Sequence, residues 1–275
     1  MYTIIRKDRI AGDVYSMTIE APHVTTNAKA GQFVIIIVDE SGERIPLTIA
    51  NAEQESGELT LIFQAIGYST KKLAALEAGD KLFAVLGPLG EAAPIEGFRK
   101  VLMIGGGVGI APLYPQIKAL YQAGAEVHAI LGGRSAELVI LRDECTQYTH
   151  ELEVVTDDGS LGTKGLVTDA LEAHLKSGED FDLVVAIGPL RMMQAVVGVT
   201  KRYDVKTNVS LNPIMIDGTG MCGGCRVHVG GKMKFACVDG PDFDGHLVDF
   251  EELISRQGMY RTEEAHTCRL LEVKP

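Results

Sequence analysis

Three cysteines fall within sixteen residues: Cys222, Cys225 and Cys237, in "CGGCRVHVGGKMKFAC". Read from Asp217, the pattern is D-x4-C-x2-C-x11-C. The plant-type iron–sulfur run is C-x4-C-x2-C with a distant fourth cysteine, so Asp217 falls where the first cysteine belongs. Glycines at 218, 220, 223 and 224 allow backbone amides to turn toward the sulfides of an anionic cluster. The spacing points to a [2Fe-2S] cluster held by Asp217, Cys222, Cys225 and Cys237. Structural zinc and free thiols are the competing readings, and zinc more usually draws on two paired-cysteine knuckles. Cys268 rivals Asp217 as the fourth ligand, because thiolate is the softer donor that iron–sulfur chemistry prefers. His228 and His246 are further candidates, each also read as a strand or turn residue. Cys145 lies in a helical stretch and reads as a buried small hydrophobe.

A second set of residues suits an anionic ligand. "GGGVGIAPLY" contains Gly105, Gly106, Gly107, Gly109, Ala111 and Pro112 between a strand-like and a helix-like segment. Glycines there let the backbone approach a ligand, and the following helix N-terminus favours a negative charge. A tight strand-to-helix turn needs similar glycines, so the loop alone is weak evidence. Its weight comes from "LGGRS", "TDDGSLG" and "IGPLRMM" at the ends of later strands, which bring Arg134, Asp157, Gly188 and Pro189. Ligands of open parallel sheets bind outside the carboxyl ends of the strands, where all four loops would lie. A nicotinamide dinucleotide is the natural occupant. Arg134 is a candidate for the adenosine ribose or phosphate, with a solvent-facing arginine as the plain alternative. Asp157 and Asp158 are candidates for polar ligand groups, or simply make a good turn with Gly159.

Three kinds of sequence must position these residues. Residues 1–98 read as short strands punctuated by Gly, Pro and Asp, which predicts a small antiparallel barrel or sandwich. One helix is expected in "STKKLAALEAG", capped by Ser69 or Thr70 and ended by Gly79. Residues 99–210 alternate strands and helices, which predicts an open, mostly parallel α/β sheet. Residues 211–275 carry the cysteines, a candidate hairpin and a short helix around "DFEELISRQG". The expected fold is therefore multi-domain β and α/β: an N-terminal β-barrel, a central α/β domain and a small C-terminal iron–sulfur subdomain.

Composition limits the function classes. The 275 residues carry 26 Lys and Arg against 37 Asp and Glu, a net charge of −11. That charge offers no footprint for nucleic acid or an anionic membrane. No run approaches the roughly 20 apolar residues of a membrane span, and "MYTIIRKDRI" lacks a signal-peptide pattern. Clustered cysteines fit a reducing compartment better than a disulfide framework. The expectation is a cytoplasmic protein that binds neither nucleic acid nor membrane.

"RIPLTIAN" and "GYSTKKL" are unremarkable singly. Together with "GGGVGIAPL" and "GPLRMM", in this order and spacing, they resemble the ferredoxin reductase-like flavoproteins. The resemblance implies FAD. Arg44 would pair with its pyrophosphate, and Pro46, Leu47 and Thr48 would line the isoalloxazine, with Thr48 near N5 as the catalytic candidate. Gly67, Ser69 and Thr70 would supply donors to phosphate at a helix start. Many members carry Cys-Gly-Pro where this chain has Ile187-Gly188-Pro189. Hydride transfer needs alignment more than acid–base help, so that change bears on rate and specificity rather than reaction class.

With the C-terminal cluster added, the whole chain resembles the electron-transfer subunit of dihydroorotate dehydrogenase B. "TDDGSLGTKGLVTD", "SLNPIMIDGTGMCGGCRV" and "DGPDFDGHLVDFEEL" look closer to a related branch, the small subunit of NADH-dependent reduced ferredoxin:NADP oxidoreductase. The aspartate at the first ligand position is its most specific feature. That resemblance implies electron transfer between NAD(H), FAD and the cluster, and flavin-based electron bifurcation. It also implies a larger flavoprotein partner resembling the glutamate synthase small subunit, carrying FAD, [4Fe-4S] and NADP(H), with ferredoxin reached through the complex. The rivals are service to a dihydroorotate dehydrogenase, a non-catalytic redox sensor, and a zinc-stabilised nucleotide-binding protein.

Overall fold

The computed structural model describes residues 1–260, 262–264 and 266. Seven strands of the first region form an antiparallel sheet: β1 Tyr2–Ala11, β2 Val14–Glu20, β3 Phe33–Ile37, β4 Arg44–Glu53, β5 Glu58–Gln64, β6 Lys81–Leu82 and β7 Ala84–Leu89. Their order is β6-β1-β2-β5-β4-β3-β7. The outermost strands β6 and β7 are consecutive in sequence, so the sheet curls round until its edges meet. This is the predicted barrel, nearly closed, and closure removes free edges.

The barrel interior explains the strand patterns. In β5, Leu59, Leu61 and Phe63 point inward while their neighbours stay partly exposed. β3 is apolar throughout because both of its faces are covered. Val34 and Ile36 fill the barrel, whereas Phe33 and Ile35 pack into the core beneath the second sheet. Two short helices belong to this region, α1 Pro22–Thr25 and α2 Tyr68–Ala74.

The second sheet contains β8 Lys100–Gly106, β9 Glu126–Gly133, β10 Glu151–Thr156, β11 Thr163–Lys164, β12 Leu183–Ile187, β13 Thr207–Ser210 and, from the cysteine-rich segment, β16 Asp242–Asp244. Its order is β11-β10-β9-β8-β12-β13-β16, parallel except for the β13–β16 pair. Helix α3 Ile110–Gln122 covers one face with α4 Arg142–Thr146 beside it; α5 Val167–Lys176 and α6 Leu190–Arg202 cover the other. Parallel strands buried on both faces read as continuous apolar runs, which is why "KVLMI" and "LVVAI" are so uniform.

Between β13 and β16 run the cluster loop, the hairpin β14 Arg226–Val229 and β15 Lys232–Phe235, and the turn α7 Ala236–Asp239. Gly230 and Gly231 both have positive φ, as a two-residue hairpin turn of this twist requires. Helix α8 Phe250–Gln257 follows, with Asp249 at its N-cap accepting from the Glu252 amide at 3.0 Å. Among the described residues no helix is long and apolar enough to cross a membrane.

Candidate active site: a shared cleft and a cysteine loop

One continuous cleft of about 980 Å³ runs between the barrel and the parallel sheet. Pro46, Leu47, Thr48 and Thr70 line it from the barrel side. Gly106, Gly107, Gly109, Ala111 and Pro112 line it from the first loop of the sheet, Arg134 and Asp157 from the second and third, and Gly188 and Pro189 from the fourth. The strand-end loops therefore converge as the α/β pattern predicts. Cross-links fix two of them together, since the Asp157 and Asp158 amides donate to the Gly133 and Arg134 carbonyls.

The glycines are required by close approach. A Cβ on Gly109 would lie 2.5 Å from the Ile187 carbonyl oxygen and 2.7 Å from the Gly188 Cα. Gly105 instead lies under the loop, where a Cβ would meet Ile110 and Leu113. It shapes the turn without reaching the cleft wall.

Several candidate residues stand elsewhere. Thr70 does not cap α2 as the N-cap residue; Gly67 holds that place and donates its amide to the Thr70 hydroxyl at 3.1 Å. The helix ends at Ala74 rather than Gly79, because the Asp80 carboxylate accepts from the Glu77 amide and starts a turn there. The Ser69 hydroxyl donates to Glu43, and neither Ser69 nor Gly67 lines the cleft. Arg44 is also not part of the wall; it donates from Nε to the Ile216 carbonyl and from Nη2 to the Asp217 carbonyl at 3.1 Å. Asp158 serves its own turn, accepting from the Ser160 amide and hydroxyl.

Sequence reasoning missed part of the lining. Gln64 and Ile66 contribute from the end of β5, Met192 and Arg191 from the start of α6, and Asn212 and Met215 from the segment after β13. The strand β13 carried a readable signal in the alternately buried Thr207, Val209 and Leu211. The other positions needed the tertiary fold.

The cysteine loop packs beside this cleft. The sulfurs of Cys225 and Cys237 lie 3.1 Å apart, both buried. Cys222 is exposed, and its sulfur accepts from the Gly224 amide at 3.4 Å. The Cys237 amide faces the Cys225 sulfur at 3.5 Å. Gly218, Gly220 and Gly223 all have positive φ, which turns successive amides about the loop. Thiolates with amides aimed at them suit an anionic iron–sulfur group, so the donor set fits that cofactor.

Charge balance supports the same reading. Burial, then the neighbouring Cys225, pushes the Cys237 thiol up, so a buried thiolate here calls for a metal to stabilise it. Amide donors, led by that of Gly224, hold the Cys222 thiol below its ordinary value. The Asp217 carboxylate accepts from the Thr219 hydroxyl and amide, which keeps it below the usual carboxylate range. Among the described residues, no three His, Cys, Asp or Glu side chains converge on one point.

His228 contacts Glu252 and His246 contacts Thr200, both away from the sulfurs. Cys145 is fully buried, and burial pushes its thiol up to about 12, as an inert core residue requires. Cys268 lies outside the described residues.

Comparison with known proteins agrees with this architecture. Residues 103–198 match the oxidoreductase NAD-binding domain, and residues 212–249 match the iron-sulfur cluster binding domain of dihydroorotate dehydrogenase B. A Thermotoga maritima homolog of the dihydroorotate dehydrogenase B (NAD(+)) electron transfer subunit is 46% identical over 261 residues, covering 95% of this chain and 92% of its own. The corresponding subunit of Shouchella clausii is 35% identical, covering 88% and 94%. A chain of the NADH-dependent reduced ferredoxin-NADP oxidoreductase, solved for insight into flavin-based electron bifurcation, superposes with a TM-score of 0.93 at 44% identity over 98% of both chains. The barrel, the dinucleotide loops and the cysteine loop thus carry one meaning: this chain belongs to the family of dihydroorotate dehydrogenase B electron-transfer subunits and their homologues, redox proteins that use FAD, NAD(H) and an iron–sulfur cluster.

Proposed function

We propose that this chain is the electron-transfer subunit of an NADH-dependent reduced ferredoxin:NADP oxidoreductase that works by flavin-based electron bifurcation. The observation that carries the reading is the whole-chain match to that enzyme, joined to an aspartate in the first ligand position of the cysteine loop. FAD supplies hydride exchange with the nicotinamide, and the cluster supplies a one-electron route onward.

The residues divide this work. Pro46, Leu47 and Thr48 form an apolar wall with one hydroxyl, suited to the face of a flavin ring, with Thr48 as the group nearest its reacting edge. Thr70 and the backbone amides of the first turn of α2 hold the phosphates; Gly67 and Ser69, which stand off the cleft wall, would turn toward them, and Arg44 would balance their charge with the edge of its guanidinium that the loop carbonyls leave free. Gly106, Gly107, Gly109, Ala111 and Pro112 bring the dinucleotide backbone close to the sheet, with Gly105 shaping the turn beneath them, while Gly188 and Pro189 hold the nicotinamide end. Arg134 and Asp157 take the adenosine end. Their shared cleft supports direct hydride exchange, because both ligands would lie against one another in one continuous space. Asp217, Cys222, Cys225 and Cys237 hold the [2Fe-2S] cluster, with the Asp217 carboxylate released from Thr219. The partner is a larger flavoprotein subunit resembling the small subunit of glutamate synthase, which reaches ferredoxin and NADP(H).

Service to a dihydroorotate dehydrogenase is the second reading, favoured by the likeness to the Shouchella clausii subunit. Purification with the native partner separates the two. A glutamate synthase-like chain, two irons per copy, bound FAD, an S = 1/2 signal on reduction and faster flavin reduction by NADH than by NADPH are expected. A dihydroorotate-oxidising barrel as the partner would establish the second reading, and zinc without iron would overturn both.

A further inference from the structure

We propose that Arg44 is a positioning residue for the iron–sulfur loop, and that it thereby links flavin occupancy to the geometry around Asp217. The inference rests on the FAD and cluster sites proposed above and concerns a contact that neither site explains.

Arg44 opens β4 on the barrel, yet its guanidinium grips the carbonyls of Ile216 and Asp217, more than 170 residues away. The Ile216 carbonyl belongs to the same peptide unit as the Asp217 amide. Peptide planarity makes the N–H point opposite to the C=O, so fixing one fixes the other. Through the Ile216 and Asp217 carbonyls Arg44 therefore fixes both peptide units that flank Asp217, a cluster ligand of the reading above. Attraction of the carbonyl oxygen to a full positive charge also polarises the peptide and strengthens its N–H as a donor.

The loop has little else to fix it at this point. Gly218, next in sequence, has φ +83° and packs without a side chain on Leu89 and Ile35 of the barrel, where a Cβ would come within 2.8 Å of Leu89. On the far side of the loop, the Glu91 amide donates to the Gly240 carbonyl at 2.7 Å. Both ends of the cysteine segment are thus tied to the flavin-side domain, and Arg44 makes the only charged tie among the hydrogen bonds described between the barrel and this loop.

A guanidinium has five donors in a fixed fork, and two carbonyls leave part of it free. The same side chain can hold the loop and balance a phosphate of FAD. An anion on the free edge would restrain the fork, so flavin and cluster loop stabilise each other reciprocally. Lysine cannot reproduce this, because its point charge lacks the planar fork.

The test uses the full chain with its native partner as wild type, Arg44→Ala, Arg44→Lys and Thr70→Ala. Iron release to a chelator and the EPR spectrum of the reduced cluster are measured with saturating FAD and after flavin removal. In the wild type, removing FAD should speed iron release. Both Arg44 variants should release iron roughly tenfold faster than wild type even with saturating FAD, the effect expected for losing charge-assisted hydrogen bonds. Their g-values should shift, and Arg44→Lys should recover FAD affinity without recovering slow iron release. Thr70→Ala, which weakens flavin binding without touching the loop, should match the wild type once FAD saturates. If the Arg44 variants match wild type in both readouts at saturating FAD, the inference is overturned while the functional reading stands. A wild-type complex without iron or flavin overturns both.

Discussion

Gly109 and Gly107 stand two residues apart and are glycine for different reasons. At Gly107, φ is +56° and nothing lies within 4 Å of a Cβ, so the demand is conformational. At Gly109 the demand is spatial, because a methyl group would press on the Ile187 carbonyl and on Gly188. Gly109→Ala should push apart two loops that form one cleft wall. We expect NADH affinity to fall at least tenfold and stability to fall by roughly 1–3 kcal/mol, the range for overpacking a tight site. Flavin reduction as a function of NADH concentration, with denaturant unfolding of the same protein, checks both. In the cysteine loop, Cys225→Ser should abolish the cluster, whereas Asp217→Cys should keep two irons per chain and change the cluster potential, because ligand charge and type set it. Iron analysis and a redox-poised EPR titration separate these outcomes. An Asp217→Ala protein with unchanged iron and potential would remove Asp217 from the ligand set. The cysteines and the strand-end glycines are legible in the sequence because spacing and strand order reveal them, whereas the Pro46–Thr48 strand stands out only through the family resemblance. Arg44 was legible only as a flavin residue, since its contact with Ile216 depends on how two distant segments pack.

At the scale of elements, the strong periodic signals gave strands and helices, and short-range competition decided their ends. The residues read as N-cap candidates in α2 became the second and third helical positions, because the Thr70 hydroxyl reaches back to the Gly67 amide. "DKLFAVLGP" reads as one strand but bends at Phe83 into β6 and β7, since a barrel needs that stretch to meet both edges. Strand starts also have caps of a kind. Asp182, just before β12, accepts from the amides of Arg99 and Lys100 at the start of β8 and from the Arg99 guanidinium at 2.7 Å. The Arg99 side chain, then those amides, hold the carboxyl at about 2. A carboxyl near 3.9 in the unfolded chain makes its stabilisation complete above about pH 4. It should fade as pH falls toward 2. Asp182→Asn should therefore lower the melting temperature near neutral pH, and the gap from wild type should narrow on acidification below about pH 4. Parallel melting curves across that range provide the measurement, and a gap independent of pH would contradict the assignment.

The whole molecule is joined where Asp242 sits. Its strand β16 closes the edge of the dinucleotide-binding sheet, although it comes from the cysteine-rich segment. One carboxyl oxygen accepts from Gln116 of α3 at 2.9 Å, and the other is buried without a partner. The preceding peptide reaches two further elements: the Gly240 carbonyl accepts from Glu91 beside the barrel, and the Pro241 carbonyl accepts from Leu211. A charge at this junction would lack solvent and a counter-ion. Burial pushes the Asp242 carboxyl up, with only partial relief from Ser210 and Gln116. The sign is opposite to that of Asp182. Above about pH 4 the unfolded chain releases this proton and the folded chain retains it, so stability contributed here declines as pH rises toward the folded value. Asp242→Asn keeps the Gln116 contact through its amide oxygen and cannot ionise. Relative to the variant, the wild type should lose stability as the pH rises above about 4, as followed by denaturant unfolding at each pH. A wild type that instead gains on the variant above that pH would mean an ionised, well-partnered Asp242. The junction would then hold a charge that the present geometry leaves without a counter-ion.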